Sequence, residues 1–459
     1  MSLKLDWDIE SEQGKHQEHQ EDFKQRSRRY LGFFRLLLIV SLFTAILGLI
    51  VFGVLRRWEQ VNARVDQLLR DTVQAEVAAL RIGDFDSYIN IQRSATDDWY
   101  VMQEQSFNEY QQLKINADVT LTGKIITSAV DGQRGRIQVE EIINSVPFVR
   151  TWFYWRYEDG WRHVPSDYTF WGEFATIENP RFAIRYHTVD DPVAQELAID
   201  VTRWLDDACT IIECNDLPLL TFDIVTDKLP EVYWAPNEQS AWQMVLPSPY
   251  LGQARADQAF GKALQVDTAT LLANRLVDRA LDNEQAIYPS DAYFLRSTIV
   301  AWIVGRFVEV NPEAYLIESI AMNYGREYIA LVLQNLQPIS DIGILSSVLN
   351  EPSLVQANLD WRDFVDWRIR TELELIQHSD EANWQRLYDF SDETVRQAAY
   401  ARYGANSTSS LRRVVDVSHI ADLDGTTQLQ ARIELDVAGQ IIEEIVYFRL
   451  VNNIWLRSS

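Results

Sequence analysis

The side chains best suited to catalysis are few in this chain and stand far apart. Four histidines follow residue 60, and none of the four is close in sequence to another. Neither a Gly-rich phosphate loop nor a Gly-x-Ser-x-Gly elbow occurs. The six histidines of the whole chain are His16, His19, His163, His187, His378 and His419. The sequence therefore predicts no histidine-based triad and no phosphate-binding loop.

Three polar residues on one predicted helix have the most informative spacing. The helix covers residues 268–281, and Asn274 and Asp278 stand four apart on one of its faces, with Arg275 next to the first. Histidines at 274 and 278 would offer zinc two nitrogens, and a glutamate at 275 would serve as the base. An amide, a lone carboxylate and a guanidinium do not form such a site. We therefore expect no metal, no cofactor and no catalytic residue there.

The order of elements around this helix resembles the gluzincin metallopeptidases of the peptidase-MA-like superfamily. In that family a strand-rich half precedes a His-Glu-x-x-His helix, and a helix with Trp-Leu-x-Glu-Gly follows. Here Trp302 and Gly305 match the second motif, but the glutamate before the glycine is missing. The resemblance implies a degenerate peptidase domain over residues 169–369, in which Asn274, Arg275, Asp278, Trp302 and Gly305 are vestigial site positions. The alternative is that the three polar residues are only the solvent face of an amphipathic helix.

One uncharged stretch organises the whole chain. It begins at Leu36 and ends at Leu55, and only Ser41 and Thr44 in it have polar side chains. Twenty helical residues cover roughly 30 Å, the thickness of a bilayer's hydrocarbon core. A core helix would keep a polar stripe, and a signal peptide would end in a small-residue cleavage site. We therefore predict one transmembrane helix within residues 31–57, in contact with membrane lipid.

Basic residues predict the orientation of this helix. Five of them lie between Lys24 and Arg35, whereas only Arg56 and Arg57 follow the apolar stretch. The larger basic excess marks the cytoplasmic side. Residues 1–30 are then a disordered cytoplasmic tail, and everything after Trp58 lies outside the cytoplasm, anchored to the plasma membrane. The whole chain has a net charge of −25, and so acidic a protein repels phosphates, which excludes nucleic acid as a partner.

The two cysteines, Cys209 and Cys214, both fall in the predicted outer part. An extracytoplasmic compartment allows a disulfide. On an unbroken helix, residues five apart point to different faces, so a bridge requires the helix to end between them. The sequence leaves open whether the two cysteines form a disulfide or are free thiols.

The regions on either side of residues 169–369 share one plan. Helical segments precede alternating strands at residues 117–164, and the same order ends the chain at residues 409–451. Trp161 and Trp455 lie at matching places after the last turn, which suggests an internal repeat. Both regions resemble the nuclear-transport-factor-2-like (SnoaL-like) cone fold. That resemblance implies cone-like domains over residues 58–168 and 370–459, with His163 as a candidate acid or base.

Together these observations predict an α+β protein with one N-terminal transmembrane helix and an extracytoplasmic part of three α+β domains. We expect a non-catalytic binding or scaffold protein with a pseudo-peptidase domain. It would hold a protein, peptide or small-molecule partner at the cell surface. The alternative is an extracytoplasmic hydrolase or small-molecule enzyme whose site is not recognisable in the sequence.

Overall fold

The protein mixes helices and strands and begins with one long apolar helix. A computed structural model describes residues 23–166, 171–214, 216–227, 231–236, 242–281, 286–404, 409–421 and 427–458, with the side chains of the first helix described from residue 37. Residues 1–73 and 74–459 form two compact units, and we call the second the folded body. The predicted tail lies outside the described residues up to position 22.

Helix α1 spans Phe23–Ile82 and contains the apolar stretch. It is the one helix of the described chain that is long and apolar enough to cross a membrane. It begins at Phe23, inside residues 1–30, which we predicted to be a disordered tail. The side chain of Leu36 is not among those that the structure describes. From Leu37 to Leu55 the large apolar side chains are exposed, as lipid-facing side chains would be. The long apolar helix is thus confirmed, and it is compatible with a single membrane anchor.

The folded body starts with three helical segments and an antiparallel sheet. The sheet has the order β1-β2-β3-β10, and β4 also pairs with β3. The elements are the end of α1, α2 (Phe85–Ile91), α3 (Asp97–Asn116), β1 (Val119–Asp131), β2 (Arg134–Ile143), β3 (Val146–Tyr157) and β4 (Gly160–His163). We call residues 74–163 the first repeat.

A mixed sheet and a group of helices form the middle of the body. The strand order is β5-β6-β7-β9-β8, in which β6, β7 and β9 are parallel and the two outer strands are antiparallel. The strands are β5 (Phe174–Glu178), β6 (Phe182–His187), β7 (Leu220–Val225), β8 (Tyr233–Trp234), β9 (Gln243–Pro247) and β10 (Gln253–Arg255). Strand β9 lies inside the sheet, because β8 pairs with its outer side.

A group of helices completes the middle region. They are α4 (Asp191–Ala208), α5 (Lys262–Ala280), α6 (Asp291–Val308), α7 (Tyr315–Asn323), α8 (Glu327–Asn335), α9 (Ile344–Val348) and α10 (Arg362–Gln377). Helix α10 runs across position 369, where we placed a domain boundary. The boundary at 168 lies outside the described residues. One cluster of buried side chains extends from Val149 through the middle region to Trp455.

The chain ends with a second set of helices and strands that parallels the first repeat. Its antiparallel sheet has the order β11-β12-β13-β14. The elements after α10 are α11 (Glu381–Gln385), α12 (Glu393–Gly404), β11 (Ser410–Ala421), β12 (Thr427–Val437), β13 (Gln440–Val451) and β14 (Ile454–Arg457). We call residues 362–457 the second repeat.

Backbone details support a common plan for the two repeats. Gly83 lies in the turn between α1 and α2, and Ser379 lies in the turn between α10 and α11; both residues have a positive φ. The next residue, Asp84 or Asp380, accepts a hydrogen bond from the backbone N–H three positions later. Both first strands also carry two register shifts against the second strand. The suspected internal repeat therefore has a counterpart in the chain's three-dimensional structure.

Candidate functional site

Helix α5 carries the three polar residues that the sequence singled out. Its buried residues are Thr268, Ala269, Leu272, Ala273, Leu276 and Val277. Asn274, Arg275 and Asp278 are all partly buried, and each has side-chain contacts. These contacts correct the alternative that the three residues are only the solvent face of an amphipathic helix.

The guanidinium group of Arg296, on α6, joins Asn274 to Asp278. Its Nε and Nη2 donate to Oδ1 of Asp278 at 2.8 and 2.6 Å, and Nη2 also donates to Oδ1 of Asn274 at 3.1 Å. The side chain of Arg296 is only 17% exposed. The cation thus neutralises the carboxylate of Asp278, and its place between the two acceptors opposes a metal ion. Arg296 was not singled out from the sequence, although a basic residue on the next helix could have indicated a partner for Asp278.

Arg275 makes contacts of a different kind. Its guanidinium carbon lies 5.2 Å from the ring centroid of Trp234 and 5.6 Å from that of Trp242. The two rings meet edge to face, with their centroids 6.1 Å apart. A guanidinium group on indole rings is a stabilising cation–π arrangement. The position that a catalytic base would occupy therefore holds a cation packed on aromatic side chains.

Trp302 and Gly305, on α6, have packing roles. Trp302 is buried, and its Nε1 donates to Oε2 of Glu318 on α7 at 2.6 Å. A Cβ atom at Gly305 would come within 2.7 Å of the ring of Pro312, so only glycine lets the chain fold back so closely. The structure therefore brings Asn274 and Asp278 together through Arg296 and places Arg275, Trp302 and Gly305 in separate contacts.

His163 belongs to a buried polar network in the first repeat. Its Nδ1 lies 2.7 Å from Oε1 of Glu76, which also accepts from Nε2 of Gln92 at 2.9 Å. The hydroxyl of Tyr154 donates to the other oxygen of Glu76 at 2.7 Å. Burial and the nearby charge of Glu76 raise the pKa of Tyr154 well above its usual value. Sequence reasoning missed Glu76, because a lone glutamate in an apolar helical stretch gives no hint of its partners.

The second repeat has the same buried carboxylate with other partners. Glu372 accepts from the hydroxyl of Tyr388 at 2.5 Å and forms a buried ion pair with Arg457. Arg457 pairs with β13 at the position that His163 occupies against β3. Burial, followed by the charge of Glu372, raises the pKa of Tyr388. An arginine does not exchange its proton, so what the two repeats share is a buried link from helix to last strand, not an acid–base pair.

A third buried carboxyl group belongs to Asp190, just before α4. It accepts from the hydroxyl of Ser248 at 2.5 Å, and its other oxygen has no hydrogen-bond partner among the described residues. Burial raises the pKa of Asp190 to about 7, although the Ser248 hydrogen bond and the charge of Arg136 oppose the shift. This group is a candidate for pH-dependent stability.

The structure joins Cys209 and Cys214 in a disulfide. Helix α4 ends at Ala208, so the chain turns between the two cysteines and brings their Cα atoms to 5.3 Å. This is the helix end that a bridge requires.

Metal-binding clusters and clefts are the remaining kinds of candidate site. No group of three or more His, Cys, Asp or Glu side chains in the described ranges has an arrangement that could hold a metal ion. One cleft of about 610 Å³ lies between the ends of α5 and α8, and its charged lining residues are Glu213, Asp216 and Arg279. The described lining of this cleft includes no histidine, serine or cysteine, so it offers no hydroxyl or thiol nucleophile beside an imidazole base.

Comparison with protein-family models, with curated proteins and with solved structures finds no match for this chain.

Proposed function

We propose that this chain is a single-pass membrane protein whose folded body lies outside the cytoplasm and works by binding rather than by catalysis. The apolar part of α1 would be the anchor in the plasma membrane. The basic excess before Leu36 favours a cytoplasmic N-terminus. The disulfide between Cys209 and Cys214 supports an oxidising compartment for the folded body.

The observation that carries the non-catalytic part of the proposal is the pairing of Arg296 with Asp278 and Asn274. In a metallopeptidase the corresponding helix face would present ligands to a zinc ion and a base to its bound water. In this chain that face presents an amide and a carboxylate to a guanidinium group. We propose on this basis that residues 169–369 are a degenerate peptidase domain, flanked by two cone-like domains, and that the body serves as a scaffold for a partner.

Metal analysis of the full-length protein tests this proposal. We expect protein purified in mild detergent, without chelators, to contain far less than one zinc ion per chain by elemental analysis. The Asp278→Ala variant should have the same low content. A stoichiometric zinc ion in the natural chain that disappears in Asp278→Ala would contradict the proposal.

An activity measurement tests the same proposal independently of the metal. The full-length protein and the Arg296→Ala variant should both fail to hydrolyse a mixed set of fluorogenic peptides. The exposed Arg412→Ala change, on β11, is a matched control for removal of an arginine. Hydrolysis that Arg296→Ala abolishes without lowering the melting temperature would favour the alternative, an extracytoplasmic hydrolase.

A further inference from the structure

The two repeats differ at one sheet edge. In the first repeat, β3 pairs with β2 on one side; on its other side it pairs with β10 at its start and β4 at its end. The partners of β10 on β3 are Phe148, Val149 and Arg150. In the second repeat, β13 pairs with β12 on one side, and on the other with β14 over Phe448–Val451. No counterpart of β10 pairs with β13 among the described residues.

Strand register identifies the equivalent segment of β13. Val149 stands opposite Glu140 on β2, and Glu443 stands opposite Glu434 on β12. The hairpins to the last strands close at Tyr157 in the first repeat and Val451 in the second. At the same distance from these hairpins, the segment of β3 that pairs with β10 corresponds to residues 442–444 of β13.

The backbone of this segment has an open edge. Ser458 donates from its N–H to the carbonyl of Tyr447 at 2.8 Å, and this bond extends the pairing one residue beyond β14. Before Tyr447, no described backbone group pairs with that side of β13. Unpaired N–H and C=O groups along a strand edge are a template for another extended chain.

Apolar side chains flank the open edge on both faces of the strand. Ile441 is 56% exposed and Ile445 is 48% exposed on one face, and Ile442 is 46% exposed on the other. An unused edge is normally protected by charges, a proline or a bulge, and the charges that this edge carries are Glu443 and Glu444. An added strand with alternating side chains would cover all three isoleucines, because successive side chains of a strand point to opposite faces.

The charges of the edge limit what can bind there. Glu443 is 58% exposed, and its ion pair with Arg432 is long, at 3.5 Å. Glu444 is held by Arg402 and Arg457. An antiparallel pairing of two copies centred on this segment would bring glutamates opposite each other, which is destabilising. A second copy is therefore disfavoured, and a lysine or arginine opposite Glu443 is favoured.

We propose that the edge of β13 over residues 441–446 binds an extended, basic segment of another protein by β-strand addition. The occupant has apolar side chains at the positions that cover the isoleucines and a basic side chain opposite Glu443. This inference rests on the proposed binding role and names its surface. Its test involves neither the membrane topology nor the Asn274–Arg296–Asp278 cluster, so a failure here leaves those parts of the proposed function standing.

The probe is a pair of synthetic peptides. Each has eight residues: a threonine at either end, two valines on each side of the centre, and two central lysines in one peptide or two central glutamates in the other. We would measure their fluorescence anisotropy with the full-length protein in zwitterionic nanodiscs, and with empty nanodiscs as the blank. We expect saturable binding of the lysine peptide and weaker binding of the glutamate peptide, by about fivefold or more. Hydrogen exchange should show alternate amides of residues 441–446 slowed by the lysine peptide.

Variants locate the binding surface. Ile445→Lys should weaken binding of the lysine peptide, and Glu443→Lys should reverse the preference toward the glutamate peptide. The control is Ser418→Lys, an exposed change on β11 at the other end of the sheet. The proposal is overturned by absent binding or by binding that both β13 variants leave unchanged. It is equally overturned by edge amides already slow to exchange in the free protein, or by a dimer that Ile445→Lys dissociates.

Discussion

Glu76 and Glu372 occupy equivalent places in the two repeats. Both side chains are fully buried, and each accepts a hydrogen bond from the side chain sixteen residues later, Gln92 or Tyr388. Each is also bound by a residue of the last strand, His163 or Arg457. Gln92 and Tyr388 form the same isolated parallel bridge to those last-strand residues. The same device thus ties helix to sheet twice in one chain.

The first prediction follows from the buried ion pair of Glu372 with Arg457. A Glu372→Gln change would remove the buried countercharge of Arg457 and leave its pair with the partly exposed Glu444. Breaking a buried ion pair costs about 3 to 5 kcal/mol. We expect the melting temperature of the full-length protein in nanodiscs to fall by several degrees. The control is Glu393→Gln, which removes an exposed carboxylate paired with Arg396 and should change stability by less than about 1 kcal/mol. Equal effects of the two changes would show that Glu372 is no structural link.

A second prediction separates two neighbouring residues of α5. Leu276 is 1% exposed, so Leu276→Ala should cost about 2 to 5 kcal/mol. Arg275→Ala should cost about 0.5 to 2 kcal/mol, because it removes the cation from the rings of Trp234 and Trp242. If the polar residues of α5 were only a solvent face, changes at Asn274 and Arg275 would alter stability by no more than about 0.5 kcal/mol. Denaturant unfolding of both variants measures the difference, and a neutral Arg275→Ala would argue against the stacked arrangement.

A third prediction concerns pH and Asp190. The pKa of this carboxyl is about 7 in the folded chain, above its unfolded value, so the folded state holds a proton that the unfolded state releases. The contribution of Asp190 to stability should therefore decrease as pH rises from about 4 to about 7, by at most about 1.4 kcal/mol per pH unit. Asp190→Asn removes this dependence.

Melting temperatures of both proteins between pH 4.5 and pH 8.5 provide the measurement for Asp190. Asp363, whose pKa burial also raises to about 7, contributes in the same direction in both proteins, so it cancels in the comparison. We expect the natural chain to lose stability relative to Asp190→Asn as pH rises. A constant difference across this range would contradict the raised pKa of Asp190.

The fourth prediction tests topology. Protease added to right-side-out spheroplasts should digest the region after Trp58 and leave the first 23 residues intact. Peptide mass spectrometry can follow both regions, and detergent lysis should expose the N-terminal segment as the control. Protection of the region after Trp58, with loss of the first 23 residues, would reverse the orientation that the flanking basic residues predict.

Periodicity and composition were enough to predict several elements. The apolar run from Leu36 to Leu55, the strands of both repeats and helix α5 follow from side-chain spacing, because burial on one face imposes a period of two or 3.6 on the sequence. The short strands β5, β8 and β10 were missed. Strands of two to five residues with mixed polarity have no period to detect, and their pairing depends on neighbours distant in the chain.

The sequence by itself determined the absence of zinc-ligand spacing at Asn274 and Asp278, since that depends only on which residue types stand four apart on a helix. Tertiary structure alone decided what fills that face, because Arg296 comes from another helix. The partners of Glu76 and Glu372, too, come from strands far along the chain, and such contacts leave no local pattern. The open edge of β13 likewise became visible only when strand pairing showed which of two similar sheets has a covering strand.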